Sequence, residues 1–217
     1  MGVPINKLIC ASNENKVLFH FFRTGTYDKN REFVLTSSPS MDILISSNLE
    51  RLIYTIAGQD GQKNAELMDA LKSSGAYEIT KEMKAKLDDF VGGYATEEQT
   101  AQAIHDTYKR TGYVMDTHTA VASCVCAQYR EESGDETKCL IASTASPYKF
   151  VGSVMRAIDA EYAGRDEFEL VDELEKLSQV AVPNAVKEIR DAKILHTREC
   201  DADKMKETVK EILEIEV

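Results

Sequence analysis

Two apolar runs, far apart along the chain, each have the pattern of a buried strand that leads into a helix. The first is residues 5–11, followed by an amphipathic pattern over residues 14–23. The second is residues 139–143, after which Ser146 and Pro147 supply a favoured N-cap and first helical residue. Parallel strands need cover on both sides. The pattern therefore predicts an α/β fold in which both strands belong to one partial parallel sheet with helices on both faces.

Between these runs the hydrophobic period is helical. Thr80 is placed to cap one helix, and Thr96 with Gln99 has the form of a capping box for another. We expect residues 59–112 to form a mainly helical satellite region. The predicted helices cover residues 64–74, 81–90 and 96–110.

The chain returns to the larger domain after this satellite region. Residues 113–115 have the pattern of a short strand, and Asp116 is placed to cap a helix that begins near His118 and reaches about residue 131. Beyond residue 165 the pattern is that of a helical tail. The predicted division is residues 1–58, 59–112, 113–165 and 166–217.

Residues 24–45 form a long irregular segment that is rich in hydroxyl residues at its end. Irregular stretches longer than about 12–15 residues are usually functional or disordered, and the apolar residues that follow favour an ordered binding loop. Ser47 and Glu50 then have the spacing of a capping box for a helix that ends at Gly58. The start of such a helix favours anions, although Asn48 and Arg51 could equally be solvated first-turn residues.

The net charge is −11, from 26 Lys and Arg against 37 Asp and Glu. An acidic surface argues against nucleic-acid binding and against docking on anionic lipid, so we expect neither as a partner. The sequence shows no long apolar span and no secretory signal pattern. We therefore predict a cytoplasmic protein.

The five cysteines are odd in number, and most lie in apolar surroundings. We expect buried free thiols in a reducing compartment. Cys124 and Cys126 flank one residue on a predicted helix, so their thiols should point to different faces. None of the four histidines stands at ligand spacing from a cysteine, and we predict no metal site.

The glycine-rich phosphate-binding motifs G-x-G-x-x-G and G-x-x-x-x-G-K-[ST] are absent. The candidate chemistry lies instead at the end of the run 139–143, where Ser143 and Thr144 meet a helix start. In open α/β sheets, ligands bind outside the carboxyl ends of the strands. The alternative is an ordinary polar turn with a helix cap.

Four blocks, in order along the chain, resemble the threonine synthase family of fold-type II enzymes that use pyridoxal 5′-phosphate (PLP). Each block alone is weak, but their order and spacing resemble the family almost from end to end. The blocks are residues 22–27 (FRTGTY), 38–43 with 46–51 (SPSMDI and SSNLER), 116–122 (DTHTAVA) and 143–150 (STASPYKF).

The resemblance covers only the C-terminal half of the family's chain. The family's Schiff-base lysine and its Gly-Asn-Phe-Gly phosphate loop belong to upstream blocks that are absent here. Gly2 and Pro4 also look like residues that follow a helix, as if the sequence opened within a motif. The resemblance therefore implies a lyase of O-phospho-L-homoserine that is inactive as this chain alone, with none of its residues forming the Schiff base.

The resemblance also assigns candidate site residues. A hydroxyl at the position of Thr144 would contact the pyridine nitrogen of PLP, and Ser143 is the neighbouring candidate. Residues 1–58 would then contain a substrate loop, and residues 113–165 the strand end that contacts the cofactor. The candidates for O-phospho-L-homoserine binding are Ser40, Asp42, Ser46, Asn48, Arg51 and His118.

The absence of the family's N-terminal half from this sequence indicates which partners the chain would have. Open strand edges and apolar faces predict self-association or association with the N-terminal half of the enzyme. One alternative is a non-catalytic binding module that keeps part of the fold. Another is an α-rich structural protein whose similarity to the family is accidental.

Overall fold

The computed structural model describes residues 4–215 of the 217-residue chain. Residues 1–3 and 216–217 lie outside the described residues, so the expectation at Gly2 is not addressed by the structure. The chain divides into two compact units between Val182 and Pro183. This boundary lies beyond the predicted start of the tail at residue 166, and the other predicted domain limits stay predictions.

Helices dominate the first unit, and two strand pairs lie among them. Its strands are β1 (Leu8–Ser12), β2 (Thr26–Asp28), β3 (Ala76–Glu78) and β4 (Phe90–Tyr94). Its helices are α1 (Val17–Thr24), α2 (Leu49–Ile56), α3 (Gly61–Ser73), α4 (Lys81–Ala85), α5 (Glu97–Thr111), α6 (Thr117–Ser133), α7 (Val151–Ile158) and α8 (Glu167–Ser178). Short 3₁₀ helices cover Pro39–Met41, Pro147–Phe150 and Ala160–Tyr162.

Strands β1 and β4 form the parallel sheet, in a register that pairs Leu8 with Phe90 and Ser12 with Tyr94. Helix α1 packs on one face of this pair and α6 on the other. The expected α/β class, with a parallel sheet covered on both faces, is therefore confirmed. Within the described residues, β1 has a strand neighbour on one side only.

Two glycines in β4 allow this close packing. A Cβ on Gly92 would lie 3.1 Å from the Phe19 backbone in α1, and a Cβ on Gly93 would lie 2.3 Å from Val125 Cγ1 in α6. Distances this short leave no room for a side chain. Glycine in a strand usually marks such an approach.

A second layer of structure surrounds the antiparallel pair β2–β3. The Tyr27 and Tyr77 rings stack with their centroids 5.3 Å apart, and Phe21 and Ile53 are fully buried beside them in one core. On the other side of the molecule, α5 packs on α6 and α7, and α7 packs on α8. Apolar faces at helical spacing thus bury against each other on both sides of the sheet.

The second unit contains α9 (Asn184–Arg190), a 3₁₀ turn (Ala202–Lys204) and α10 (Met205–Ile212). None of its described side chains is fully buried. Of the helices that lie beyond residue 165, α8 thus belongs to the first unit, and α9 and α10 belong to the second. Across residues 4–215, the helices lack the length and apolar character needed to cross a bilayer.

Several predicted helix starts are confirmed because their signals are local. Thr96 and Gln99 form the expected capping box, and Thr80 and Asp116 accept hydrogen bonds from the first-turn amides of their helices. Ser146 caps the turn that begins at Pro147, with its Oγ 3.3 Å from the Tyr148 amide. The predicted capping box at Ser47 is wrong: Asn48 occupies the N-cap position of α2, and its side chain makes no capping bond.

Other predicted elements are wrong for non-local reasons. Residues 139–143 are irregular and mostly exposed, because they lie along α6 while β4 takes the place beside β1. Residues 113–115 are also irregular. The predicted helix over residues 81–90 ends at Ala85, and strand β4 follows it inside the expected satellite region.

The close packing at Gly93 gives a stability prediction. We expect Gly93→Ala to lower the free energy of unfolding by about 2 kcal/mol, since the new methyl group would overlap Val125. Gly61→Ala is the matched control, because nothing lies within 4 Å of a Cβ at the first residue of α3. Urea unfolding followed by circular dichroism measures both, and equal midpoints for the two variants would contradict the packing described here.

Candidate functional site

The first turn of α6 is where the candidate site residues meet. Asp116 precedes this helix and is 1% exposed. Its Oδ1 accepts hydrogen bonds from the amides of His118 (2.9 Å) and Thr119 (3.1 Å), and its Oδ2 accepts one from the Thr119 hydroxyl. The carboxylate is therefore fully engaged in starting the helix, where the dipole also favours negative charge.

His118 joins this turn to the irregular segment. Its Nε2 lies 3.2 Å from the Ser40 amide, which donates to it, and its ring packs against Phe150 with the centroids 4.9 Å apart. Burial lowers the pKa of His118, with Lys149 acting in the same direction and Asp116 opposing it. The neutral ring is the form that can accept the Ser40 hydrogen bond.

Ser143 is joined to the same turn from the other direction. Its Oγ lies 2.8 Å from the Thr119 hydroxyl, which in turn donates to Asp116. Thr144, the next residue, is exposed. The structure thus brings Ser40, His118 and Ser143 together around the start of α6, beside the exposed residue Thr144.

Asp42 lies in a polar network rather than at a free surface. Its Oδ1 accepts hydrogen bonds from the side chains of Asn13 (2.7 Å), Asn15 (3.1 Å) and Thr36 (2.7 Å), and its Oδ2 accepts one from the Thr36 amide (3.0 Å). Asn13 and Asn15 are buried just beyond the end of β1. Asp42 therefore fixes the loop that carries Ser40.

The remaining candidates lie around the start of α2. Ser46 donates its amide to the Tyr27 hydroxyl at 2.7 Å, and the Arg51 guanidinium donates to Asn48 Oδ1 at 2.7 Å. Asn48 and Arg51 line an open depression of about 580 Å³. Glu50 also lines it, with its carboxylate bonded to Asn64 at 2.9 Å. An anion bound there would pair with the guanidinium.

Sequence reasoning missed three residues that build the site. Asn13 and Asn15 hold the loop through Asp42, and Thr119 links Asp116 to Ser143. Two asparagines directly after a strand were the available signal, because buried amides need partners. Within residues 4–215, no cluster of histidine, cysteine and acidic side chains could hold a metal ion.

The fold and this cluster define one part of an α/β protein in which two irregular segments converge on the N-terminus of a helix that covers a parallel sheet. Comparison with known proteins shows which proteins this arrangement is similar to. The model described as "Threonine synthase, C-terminal" matches residues 119–200. The chain is thus similar to the C-terminal part of the threonine synthase chain.

Similar proteins agree with this assignment. "Threonine synthase-like 1" of Pongo abelii is 43% identical over 160 residues, which are 73% of this chain and 21% of that protein. The crystal structure of the threonine synthase from yeast superposes with a TM-score of 0.79 at 28% identity, over 99% of this chain and 43% of that one. The PLP-bound threonine synthase from Brucella melitensis gives 0.68 at 35% identity, over 82% and 37%. The chain thus spans about a fifth to two fifths of the length of these relatives.

The buried carboxylate of Asp116 gives a prediction with a close internal control. Asp166 caps α8 with the same pattern of two amide bonds, at 2.9 and 3.2 Å, but it is exposed. We expect Asp116→Ala to cost about 3 kcal/mol of unfolding free energy and Asp166→Ala about 1 kcal/mol, because only the first leaves buried donors unpaired. Urea unfolding checks this, and similar costs for the two variants would show that burial adds nothing to the cap.

The pKa of His118 predicts a pH effect on stability. Burial lowers this pKa in the folded state, so the unfolded chain binds the proton more readily. The stability contribution is therefore complete above the unfolded pKa of about 6.5 and is lost as the pH falls below it. We expect His118→Gln, which keeps an acceptor for the Ser40 amide, to flatten the decline in stability below that pH.

The control for this measurement is His196→Gln, at an exposed residue of the second unit. Urea midpoints across a pH series should fall as steeply for this variant as for the unchanged protein. A His118→Gln variant with an undiminished slope would mean that His118 is not held neutral in the fold.

Proposed function

We propose that this chain is the C-terminal portion of a PLP-dependent lyase that converts O-phospho-L-homoserine and water to L-threonine and phosphate. The observation that carries the proposal is the convergence of Ser40, His118 and Ser143 on one helix start, in a chain related to the threonine synthases. These residues come from three of the four sequence blocks that resemble the family. Since the chain spans a minor part of its relatives, the whole reaction is proposed for the complete enzyme.

We propose that the residues around Thr144 would meet one edge of the PLP ring. A ring nitrogen can be met by a neutral hydroxyl, and Thr144 is exposed beside Ser143, whose own hydroxyl is held by Thr119. The nearest carboxylate in this network, Asp116, is engaged by the amides of α6. Thr144 would therefore contact the pyridine nitrogen and leave it largely unprotonated, with Ser143 as its neighbour. When bound, PLP supplies an electron sink for carbanion chemistry at the substrate.

The substrate would be held by the loop that carries Ser40 and by the start of α2. Asp42 and the asparagines beyond β1 fix the loop, and this loop would bring Ser40 to the substrate in a preset position. Arg51 and Asn48, already bonded at 2.7 Å, would bind the phosphate or carboxylate of O-phospho-L-homoserine. His118 would act mainly by positioning Ser40, since its Nε2 is occupied by the loop backbone. Ser46 would contribute to substrate binding through its backbone, which leads into α2.

Two elements of the reaction would come from residues outside this sequence. The Schiff-base lysine block and the Gly-Asn-Phe-Gly loop do not occur in the 217 residues, so we propose that the chain alone is inactive. Its partner would be the N-terminal half of the enzyme, or a second copy of itself. The one-sided pairing of β1 and the exposed side chains of Leu35 (82%) and Leu140 (97%) support such an association. We propose the cytoplasm as its location.

Reconstitution tests this proposal. The chain would be mixed with the N-terminal portion of the yeast threonine synthase that precedes the region matched here. We expect co-elution on gel filtration, absorbance from protein-bound PLP, and release of phosphate and threonine from O-phospho-L-homoserine. The chain alone should release none. Binding of PLP without any turnover would favour the non-catalytic binding module instead.

A variant pair sharpens the same experiment. Thr144→Val removes the proposed hydroxyl, and we expect a loss of turnover of about 100-fold with the PLP absorbance band shifted, as a misplaced catalytic contact can cost this much. Thr197→Val, at an exposed position of the second unit, is the matched control and should retain full turnover. Equal activity of the two variants would remove Thr144 from the proposed site.

A further inference from the structure

Two cysteines that belong to different segments lie side by side. Cys126 is buried on α6, and Cys139 is exposed on the irregular segment that follows this helix. Their sulfur atoms are 2.7 Å apart, and both residues are in the reduced form. A disulfide bond has a sulfur–sulfur distance of about 2.05 Å. Bond formation therefore needs only a small side-chain movement.

The segment that carries Cys139 runs back along α6 from its end to its start. Near its beginning, the Tyr129 hydroxyl donates to Asp135 at 2.9 Å. Along its length, contacts are made by residues 130, 126 and 119 of the helix. Spacings of four and seven residues place these positions on one face of an α-helix. The contacts are Arg130 to the Glu136 carbonyl (3.3 Å), Cys126 to Cys139 (2.7 Å) and Thr119 to Ser143 (2.8 Å).

The cysteine pair is the middle one of these contacts. Around it the segment has little cover, since residues 136–140 are exposed and Leu140 is 97% exposed. The segment is thus attached to α6 at separate points rather than by continuous packing. A covalent link at its middle would hold Ser143 and Thr144 at the helix start.

We infer that Cys126 and Cys139 are a reversible dithiol–disulfide pair that is oxidised by low-molecular-weight disulfides and that clasps this segment to α6. In a reducing compartment, disulfides of this kind are usually transient and regulatory rather than structural. The sequence-based expectation of buried free thiols is wrong for most of them: Cys126 is buried, Cys10 and Cys124 are partly buried, and Cys139 and Cys200 are exposed. Cys139 also has Cys126 as a close neighbour.

The chemistry proceeds by two thiol–disulfide exchanges. The Cys139 thiol loses its proton and attacks one sulfur of the small disulfide, which forms a mixed disulfide and releases one small thiol. Cys126 then loses its proton and attacks the Cys139 sulfur, which releases the second small thiol. The protein loses two electrons and two protons, and the small disulfide gains them.

The order of the two steps follows from exposure and charge. Burial, together with the hydrogen bond to Cys139, raises the pKa of Cys126 to about 11. Cys126 is therefore a poor first nucleophile, and it becomes effective only when the mixed disulfide is placed beside it. Burial also raises the pKa of Cys10 to about 11, which separates that thiol from this reaction.

Peptide mapping tests the inference directly on the full chain. The protein would be incubated with oxidised glutathione, its remaining thiols alkylated, and the product digested with trypsin. Cleavage after Arg130 and Lys138 separates the two cysteines. We expect the peptide that begins at Cys139 to be linked to the one that contains Cys126, and the link to disappear after reduction. At one disulfide per chain, the thiol count falls from five to three.

Variants identify the sulfur that takes part. Cys124 lies on the same tryptic peptide, but its thiol is bonded to Gln128 at 3.4 Å. Cys124→Ser should therefore keep the link, whereas Cys126→Ser should abolish it and leave Cys139 with bound glutathione. A link that survives Cys126→Ser, a link between chains, or glutathionylated Cys139 in the unchanged protein would each overturn the inference.

Formation of the disulfide does not depend on the proposed function. Its effect on cofactor binding does, because that effect assumes that Ser143 and Thr144 contact PLP. Mapping can succeed where reconstitution fails, so the two failures are distinguishable. If peptide mapping and reconstitution both succeed, we expect the disulfide to hold Thr144 at the start of α6 in the reconstituted enzyme.

Discussion

The buried carboxylate of Asp116 is the interaction on which the rest of the site depends. A charge removed from water must be compensated by hydrogen bonds, and here the amides and hydroxyl of the first turn of α6 provide them. That compensation fixes the orientation of His118 and Thr119, which in turn hold Ser40 and Ser143. One helix cap therefore positions two segments that are about a hundred residues apart in sequence.

Asp42, like Asp116, holds other residues in place. Asp42 and Asp116 each accept hydrogen bonds from the protein, so these two carboxylates hold the loop and the start of α6 in place. The groups that we propose to meet a ligand are the hydroxyl of Thr144 and the side chains of Asn48 and Arg51 at the start of α2.

The sequence predicts what depends on neighbouring residues. Helix starts at Thr96, Asp116 and Ser146 were predictable because a cap and its amides lie within three residues. The strand predicted over residues 139–143 failed because a strand needs a partner backbone, which no local pattern specifies. For the candidate site, the polar end of the run 139–143 indicated Ser143 and the resemblance added His118. The role of Asn13 appears only when Asp42, 29 residues away, folds against it.

The two glycines of β4 have a consequence for how such a sequence can vary. With α1 against Gly92 and α6 against Gly93, the sheet is held between two helices at nearly backbone distance. A side chain at position 93 would occupy the space that the Val125 side chain now fills. Alanine at position 93 would therefore be tolerated only together with a smaller residue at position 125. Positions 93 and 125 should therefore covary in sequence, although neither has a chemical function. The cause would be the short distance between the sheet and α6 rather than the reaction.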